Sequence, residues 1–237
     1  NLFQVDTFSP GQLEVITTLL QGRNTIAVAP TEMDQSLPYQ LVAFLQPVPT
    51  LVIVPIPSFM YDEIHHLKEH KITRVPEMTR NQRKKESILQ KYRENRSLLM
   101  FVAPEYVQTK SFRTFLQETP IGFIVIHDVH SLSEWSDTFR TSYLHIGQTL
   151  RTYCKKAVLL GLTKEVAVSV LQDIKSELQT ADIVTLNHRP ELSFEVVEAG
   201  PDYAEKQQAL TKIVREKGEA HGIVFTLNAS GRKGAIR

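Results

Sequence analysis

The segment Ala29-Pro-Thr-Glu-Met-Asp-Gln-Ser36 stands where a chain could cradle a phosphate. It follows the apolar run Thr25–Val28 and leads into a helical pattern, Leu37–Leu45. Strand, loop and helix in that order make an anion nest of backbone N–H groups, given glycines for the backbone path and a lysine for the outer phosphates. Both are missing: Glu32, Asp34 and Gln35 fill the loop, and no Gly-Lys-Ser or Gly-Lys-Thr occurs anywhere in the chain. A second group, Ile126-His-Asp-Val-His130, ends another apolar run and offers a carboxylate between two imidazoles. A third, His66-Leu-Lys-Glu-His70, puts two histidines four residues apart, where a helix would present both on one face and zinc could be chelated. A third zinc ligand would have to come from elsewhere, and Glu69 lies among lysines as on a solvated face.

These groups need a scaffold. Short β-rich runs (Thr25–Ala29, Thr50–Val54, Ser97–Val102, Phe123–His127, Ala157–Leu160 and Ile183–Leu186) alternate with helical patterns at Gln12–Leu20, Phe59–His70, Gln82–Tyr92 and Glu165–Leu178. Such alternation predicts an α/β fold, a mostly parallel sheet with helices on both faces. Ligands then bind at the carboxyl ends of the strands, which singles out the loops after Ala29, Val54, Val102, His127 and Leu160. A boundary is expected near Asn187, giving a lobe over 1–186 and a linker with the start of a second lobe over 187–237. That second part reads as a strand (Leu192–Glu198), a helix (Tyr203–Lys217) and a strand apolar on both faces (Gly222–Leu227). One strand and one helix cannot cover the last, so the chain reads as a fragment of a longer protein.

At 237 residues, 42% hydrophobic and 22% charged, the composition is that of an ordinary soluble globular chain. A formal charge of +1 gives no global field for a polyanion, so any basic surface is local. The single cysteine, Cys154, excludes an intrachain disulfide and fits a reducing, intracellular setting; with no base partner in sight it reads as a buried structural thiol. No apolar run approaches the ~18 residues of a membrane span, so no membrane partner is expected. Arg80–Arg96 carries a local basic excess with Ile88, Leu89 and Tyr92 at helical spacing. It reads as an amphipathic helix with a solvated face, or as a phosphate-contacting surface.

With the loops in order, the chain resembles the first RecA-like lobe of the RecQ-type helicases of superfamily 2, plus the entry to their second lobe, from about Phe8 to Phe225. Phe8-Ser-Pro-Gly-Gln12 is similar to the family's adenine-reading motif, and Ser36-Leu-Pro-Tyr-Gln40 follows the Walker A position. Leu51-Val-Ile-Val-Pro55 with Phe59, Met60 and Asp62 looks like motif Ia, and Phe101-Val-Ala-Pro-Glu105 like the next block. Ile126-His-Asp-Val-His130 sits where the family writes Val-Asp-Glu-Ala-His; Ser133-Glu-Trp135 and Phe139-Arg140 follow as in its aromatic-rich loop, and Gly161-Leu-Thr163 replaces motif III. Asn187-His-Arg-Pro-Glu-Leu192 and Gly222-Ile-Val-Phe225 close the match.

The resemblance implies ATP and magnesium held by Gln12, Thr31, Glu32, Asp34, Gln35 and Ser36, with Ser36 as a magnesium ligand and Asp128 and His130 in the catalytic motif. It implies DNA contacts from Trp135, Phe139 and Arg140, whose aromatics and arginine suit single strands; Trp135 reads equally well as core. The departures argue against the reaction. Glu32 and Asp34 occupy glycine positions and Gln35 the lysine position. At ~6 Å and an effective dielectric of ~20, each carboxylate near a phosphate costs roughly 3 kcal/mol. His127 replaces the metal-binding aspartate with a poor ligand for a hard cation, and Asp128 is a methylene shorter than the family's glutamate. The expectation is a degenerate lobe with no cofactor, or with ATP and magnesium if the ancestral site persists. Its expected partners are single-stranded or branched DNA, a protein, or the rest of a longer chain. The alternatives are an ATP-dependent helicase lobe active only with its second lobe, and a pure protein-binding scaffold.

Overall fold

In a computed structural model of the chain, the structure describes residues 6–29, 35–46, 49–72, 75, 82–94, 99–133, 143, 145–164, 166–180, 182–185, 195–199, 202–217 and 222–223. The chain divides into two compact units, Asn1–His188 and Arg189–Arg237.

Among the described residues the first unit is built on six strands: β1 (Thr25–Val28), β2 (Thr50–Ile53), β3 (Leu99–Val102), β4 (Phe123–Ile126), β5 (Val158–Thr163) and β6 (Asp182–Thr185). They form one sheet in the order β3-β2-β4-β5-β1-β6, and every pairing is parallel. Each residue of β1 to β4 is buried, as expected of strands covered on both faces. Alternating side chains feed two cores. Ala27, Val52, Phe101, Val125 and Leu160 meet α1 (Gln12–Leu20), α2 (Ser36–Leu45) and α3 (Pro57–Glu69). Ile26, Ile53, Val102 and Ile126 face the other way, onto α4 (Gln82–Arg93), α5 (Pro104–Val107), α6 (Lys110–Glu118), α7 (Ile146–Tyr153) and α8 (Val168–Leu178). Prolines open α3 and α5, where a missing N–H costs no helical bond.

Several sequence expectations need correction. β5 does not stop at Leu160 but runs through Gly161-Leu-Thr163. The glycine packs closely there: a Cβ at 161 would lie 3.1 Å from Val129 Cγ1 and 3.2 Å from its Cγ2, so Val129 would have to give by a few tenths of an ångström. β4 ends at Ile126, and α8 begins at Val168 rather than Glu165. The basic helix α4 is amphipathic, with Ile88, Leu89 and Tyr92 buried. In the second unit the helix α9 (Tyr203–Lys217) is present, but of the strand expected over Leu192–Glu198 the described part, residues 195–198, has no regular structure, and residues 192–194 lie outside the described residues. Gly222 and Ile223 are not in a strand, and the rest of that expected strand lies outside the described residues. No helix among the described residues is long and apolar enough to cross a membrane.

Candidate functional site

The carboxyl ends of β1, β5 and β4 lie side by side, and among the residues singled out above His127, Asp128 and His130 follow β4 and Gln35 and Ser36 open the helix after β1. Hydrogen bonds tie them together. The Ala29 N–H donates to the Thr163 carbonyl at 2.8 Å, and the Thr163 hydroxyl lies 3.0 Å from His130 Nδ1. After β4 the chain turns sharply: Asp128 adopts φ 49°, ψ 47°, then a 3-10 turn covers Val129–Leu132. That turn sends His127 and His130 in different directions.

His127 is buried. Its ring lies 4.7 Å from Phe59 and, edge-on, 5.5 Å from Tyr39, measured between centroids. Burial lowers its pKa to about 3, so the imidazole is neutral, and its Nε2 has no hydrogen-bond partner among the described residues. Its backbone is held on both sides, N–H to the Ile53 carbonyl at 2.9 Å and carbonyl to the Tyr143 hydroxyl at 3.2 Å. A neutral, apolar-packed ring is a weak substitute for a carboxylate meant to hold a divalent ion.

The loop side of the site is organised by a residue sequence reasoning missed. Glu63 projects from α3 toward the start of α2. Ser36 Oγ donates to its Oε1 at 2.7 Å, and Gln40 Nε2 to its Oε2 at 3.0 Å. Tyr39 Oη donates to the same Oε2 in a short bond. Tyr39 is fully buried; burial first, and the Glu63 charge second, hold its pKa well above the usual phenol range. The signal in sequence was spacing: Met60, Glu63, Ile64 and Leu67 lie three and four apart, so Glu63 shares the inward stripe of α3.

Of the expected nucleotide contacts, Gln35 points back, with Nε2 3.4 Å from the Ala29 carbonyl. Gln12 is buried, and its Oε1 accepts the Ser9 N–H at 2.9 Å. Thr31, Glu32 and Asp34 lie outside the described residues, as do Trp135, Phe139 and Arg140. Among the described residues, no three His, Cys, Asp or Glu side chains gather to hold a metal. Cys154 is buried in the core, and burial pushes its thiol up to about 12, which removes it as a nucleophile at neutral pH.

A parallel sheet with two helical layers, its conspicuous residues at the carboxyl ends of central strands, is the architecture of a RecA-like helicase lobe. The family model for the DEAD/DEAH box helicase matches residues 9–185, and the chain belongs to that family. It is 31% identical over 228 residues to a Bacillus subtilis protein described as "Probable ATP-dependent DNA helicase RecS", covering 94% of this chain and 45% of that protein. It is 32% identical over 182 residues to "ATP-dependent DNA helicase Q-like 5" of Arabidopsis thaliana, covering 75% of this chain and 20% of the relative. The chain thus spans less than half the length of these RecQ-type relatives. Among solved structures, the Pyrococcus furiosus Hef helicase domain superposes with a TM-score of 0.59 at 14% identity, over 75% of this chain and 38% of that one.

Proposed function

We propose that this chain is a RecQ-like helicase-core region with a degenerate ATP site, one that binds nucleic acid or a protein within a longer DNA-processing protein and does not hydrolyse ATP. Its parts are a first lobe over 1–186 and the start of a second over 187–237. The observation that carries this reading is the Glu63 carboxylate on Ser36, next to a neutral His127. A magnesium ion held by Ser36 would need its hydroxyl oxygen and an acidic partner from the end of β4. Here the hydroxyl is directed at a protein carboxylate, and the β4 position offers an imidazole. Two acids and no lysine in the preceding loop add to the deficit. With each acid costing roughly 3 kcal/mol, nucleotide affinity falls by several orders of magnitude.

The DNA side of the proposal rests on the helicase relatives and on Trp135, Phe139 and Arg140, a combination suited to stacking on single strands. Two measurements test the reading. Titration of ATP with magnesium into the protein is expected to give no micromolar binding; a micromolar Kd refutes it. The full-length protein is expected to release no phosphate under saturating DNA. Release that Asp128→Asn abolishes would instead support the alternative, a lobe active once its second lobe is present.

A further inference from the structure

The carboxyl end of α3 carries a pair of imidazoles that the nucleotide site does not use. His66 and His70 lie on one helix face with ring centroids 4.4 Å apart and planes tilted by 52°. His70 Nδ1 is 2.9 Å from the backbone carbonyl of His66. A carbonyl only accepts, so Nδ1 carries the proton and Nε2 keeps its lone pair. That tautomer is the metal-binding one, and a bond of this kind is what orients imidazoles that ligate metals. The same carbonyl accepts the His70 backbone N–H at 3.2 Å, which anchors the ring to the helix end.

Distance and field both suit a cation. Two imidazoles bound ~2.1 Å from one ion have centroids about 4.5 Å apart at the roughly 90° angle of a tetragonal ion and about 5.3 Å apart at a tetrahedral one, so the observed 4.4 Å suits nickel and copper better than zinc. The site lies at the negative end of the α3 dipole. Lys68 and Lys71 oppose a cation, but both are exposed and act through water.

We propose that His66 and His70 form a two-imidazole chelate for a divalent transition-metal ion of the nickel, copper and zinc class, with water completing the coordination. Magnesium and calcium are excluded by chemistry, since they take oxygen ligands. Among the described residues no third His, Cys, Asp or Glu joins the pair, which leaves water to complete the coordination. The neighbouring His65 faces Glu69, with Nδ1 3.6 Å from Oε1, and serves as an internal control.

The test is calorimetric titration of Ni2+ into the protein without a polyhistidine tag, beside His66→Ala, His70→Ala and His65→Ala. The expected result is one ion per chain, with at least a tenfold loss of affinity in each of the first two variants and no change in the third. Nickel should also raise the Tm of the native protein and leave those two variants unmoved. No binding, a His66→Ala or His70→Ala variant that binds as the native protein does, an equal loss in His65→Ala, or magnesium competing for the site would each overturn the proposal. His65 and His66 are exposed and His70 half-buried, so circular dichroism should find all three variants folded.

Discussion

Replacing Glu63 by glutamine keeps the shape of the side chain and removes its charge. The native carboxylate accepts from Ser36, Tyr39 and Gln40. A carboxamide accepts at one atom and donates at the other, so the three bonds become neutral and Ser36 must reverse its hydroxyl. Hydrogen bonds to a charged group contribute about 1.5–3 kcal/mol and neutral ones about 0.5–1.5, a difference near 1 kcal/mol for each bond. Three bonds give about 3 kcal/mol. Glu63 is only half-buried, and solvent screening trims the sum to about 2 kcal/mol. For a unit of this size that is a fall in Tm of roughly 4–8 °C, read by far-ultraviolet circular dichroism. Glu63→Ala should cost more, because it strands the buried donors of Tyr39 and Gln40 at about 1–3 kcal/mol each. The expected order is native, then Gln, then Ala. A glutamine variant melting within a degree of the native protein, or an alanine variant no worse than the glutamine one, would refute the idea that this carboxylate organises the site.

His127 is neutral when folded, at a pKa of about 3, and titrates near 6.5 when unfolded. Its stabilising contribution is complete above pH 6.5 and is lost as pH falls toward 3, because only the unfolded chain takes up the proton in that window. Between pH 6.5 and 5.0 this amounts to about 2 kcal/mol of stability, measurable by urea unfolding, and His127→Phe should flatten that slope. Gly161→Ala puts a methyl 3.1–3.2 Å from Val129, so its effect on Tm should be coupled to Val129→Ala in a double-mutant cycle; strictly additive effects would contradict the close packing. Trp135→Ala and Arg140→Ala should each weaken salt-sensitive binding of a single-stranded oligonucleotide, by about 1–3 kcal/mol for the tryptophan; binding unaltered in both variants would remove these residues from the interface, and no binding by the native protein would favour a scaffold that meets only protein.

The sheet was legible because its strands are short apolar runs between helical patterns, and burial on both faces leaves little room for another reading. The sequence run Ala157–Leu160 stops short of β5 because a glycine adds no apolar side chain to the pattern; in the structure Gly161 continues the strand and packs against Val129. The strand expected over Leu192–Glu198 is not formed over its described part, residues 195–198. The missing glycines and lysine could be read directly. The spacing of Met60, Glu63, Ile64 and Leu67 puts Glu63 on the inward stripe of α3, but nothing local names Ser36, 27 residues back in the chain, as its partner. The burial of His127 needed Tyr39 and Phe59, from two other helices, to be placed around it.

The position of β1 in the sheet bears on the order in which the protein can be made. Its partners are β5 and β6: Thr25 pairs with Leu160 and Asp182. Asn24 adds a side-chain bond to the Leu159 N–H at 3.0 Å and a backbone bond from the Thr180 hydroxyl at 2.6 Å. A ribosome that has delivered β1 must add well over a hundred residues before either neighbour exists. Until then a fully buried strand waits with both edges open, the state in which nascent chains aggregate or engage chaperones. Such distant pairing also makes for slow folding in vitro. Translation stalled before Val158 should therefore leave a protease-sensitive nascent chain, and protection should arrive late, once β5 and β6 clear the exit tunnel.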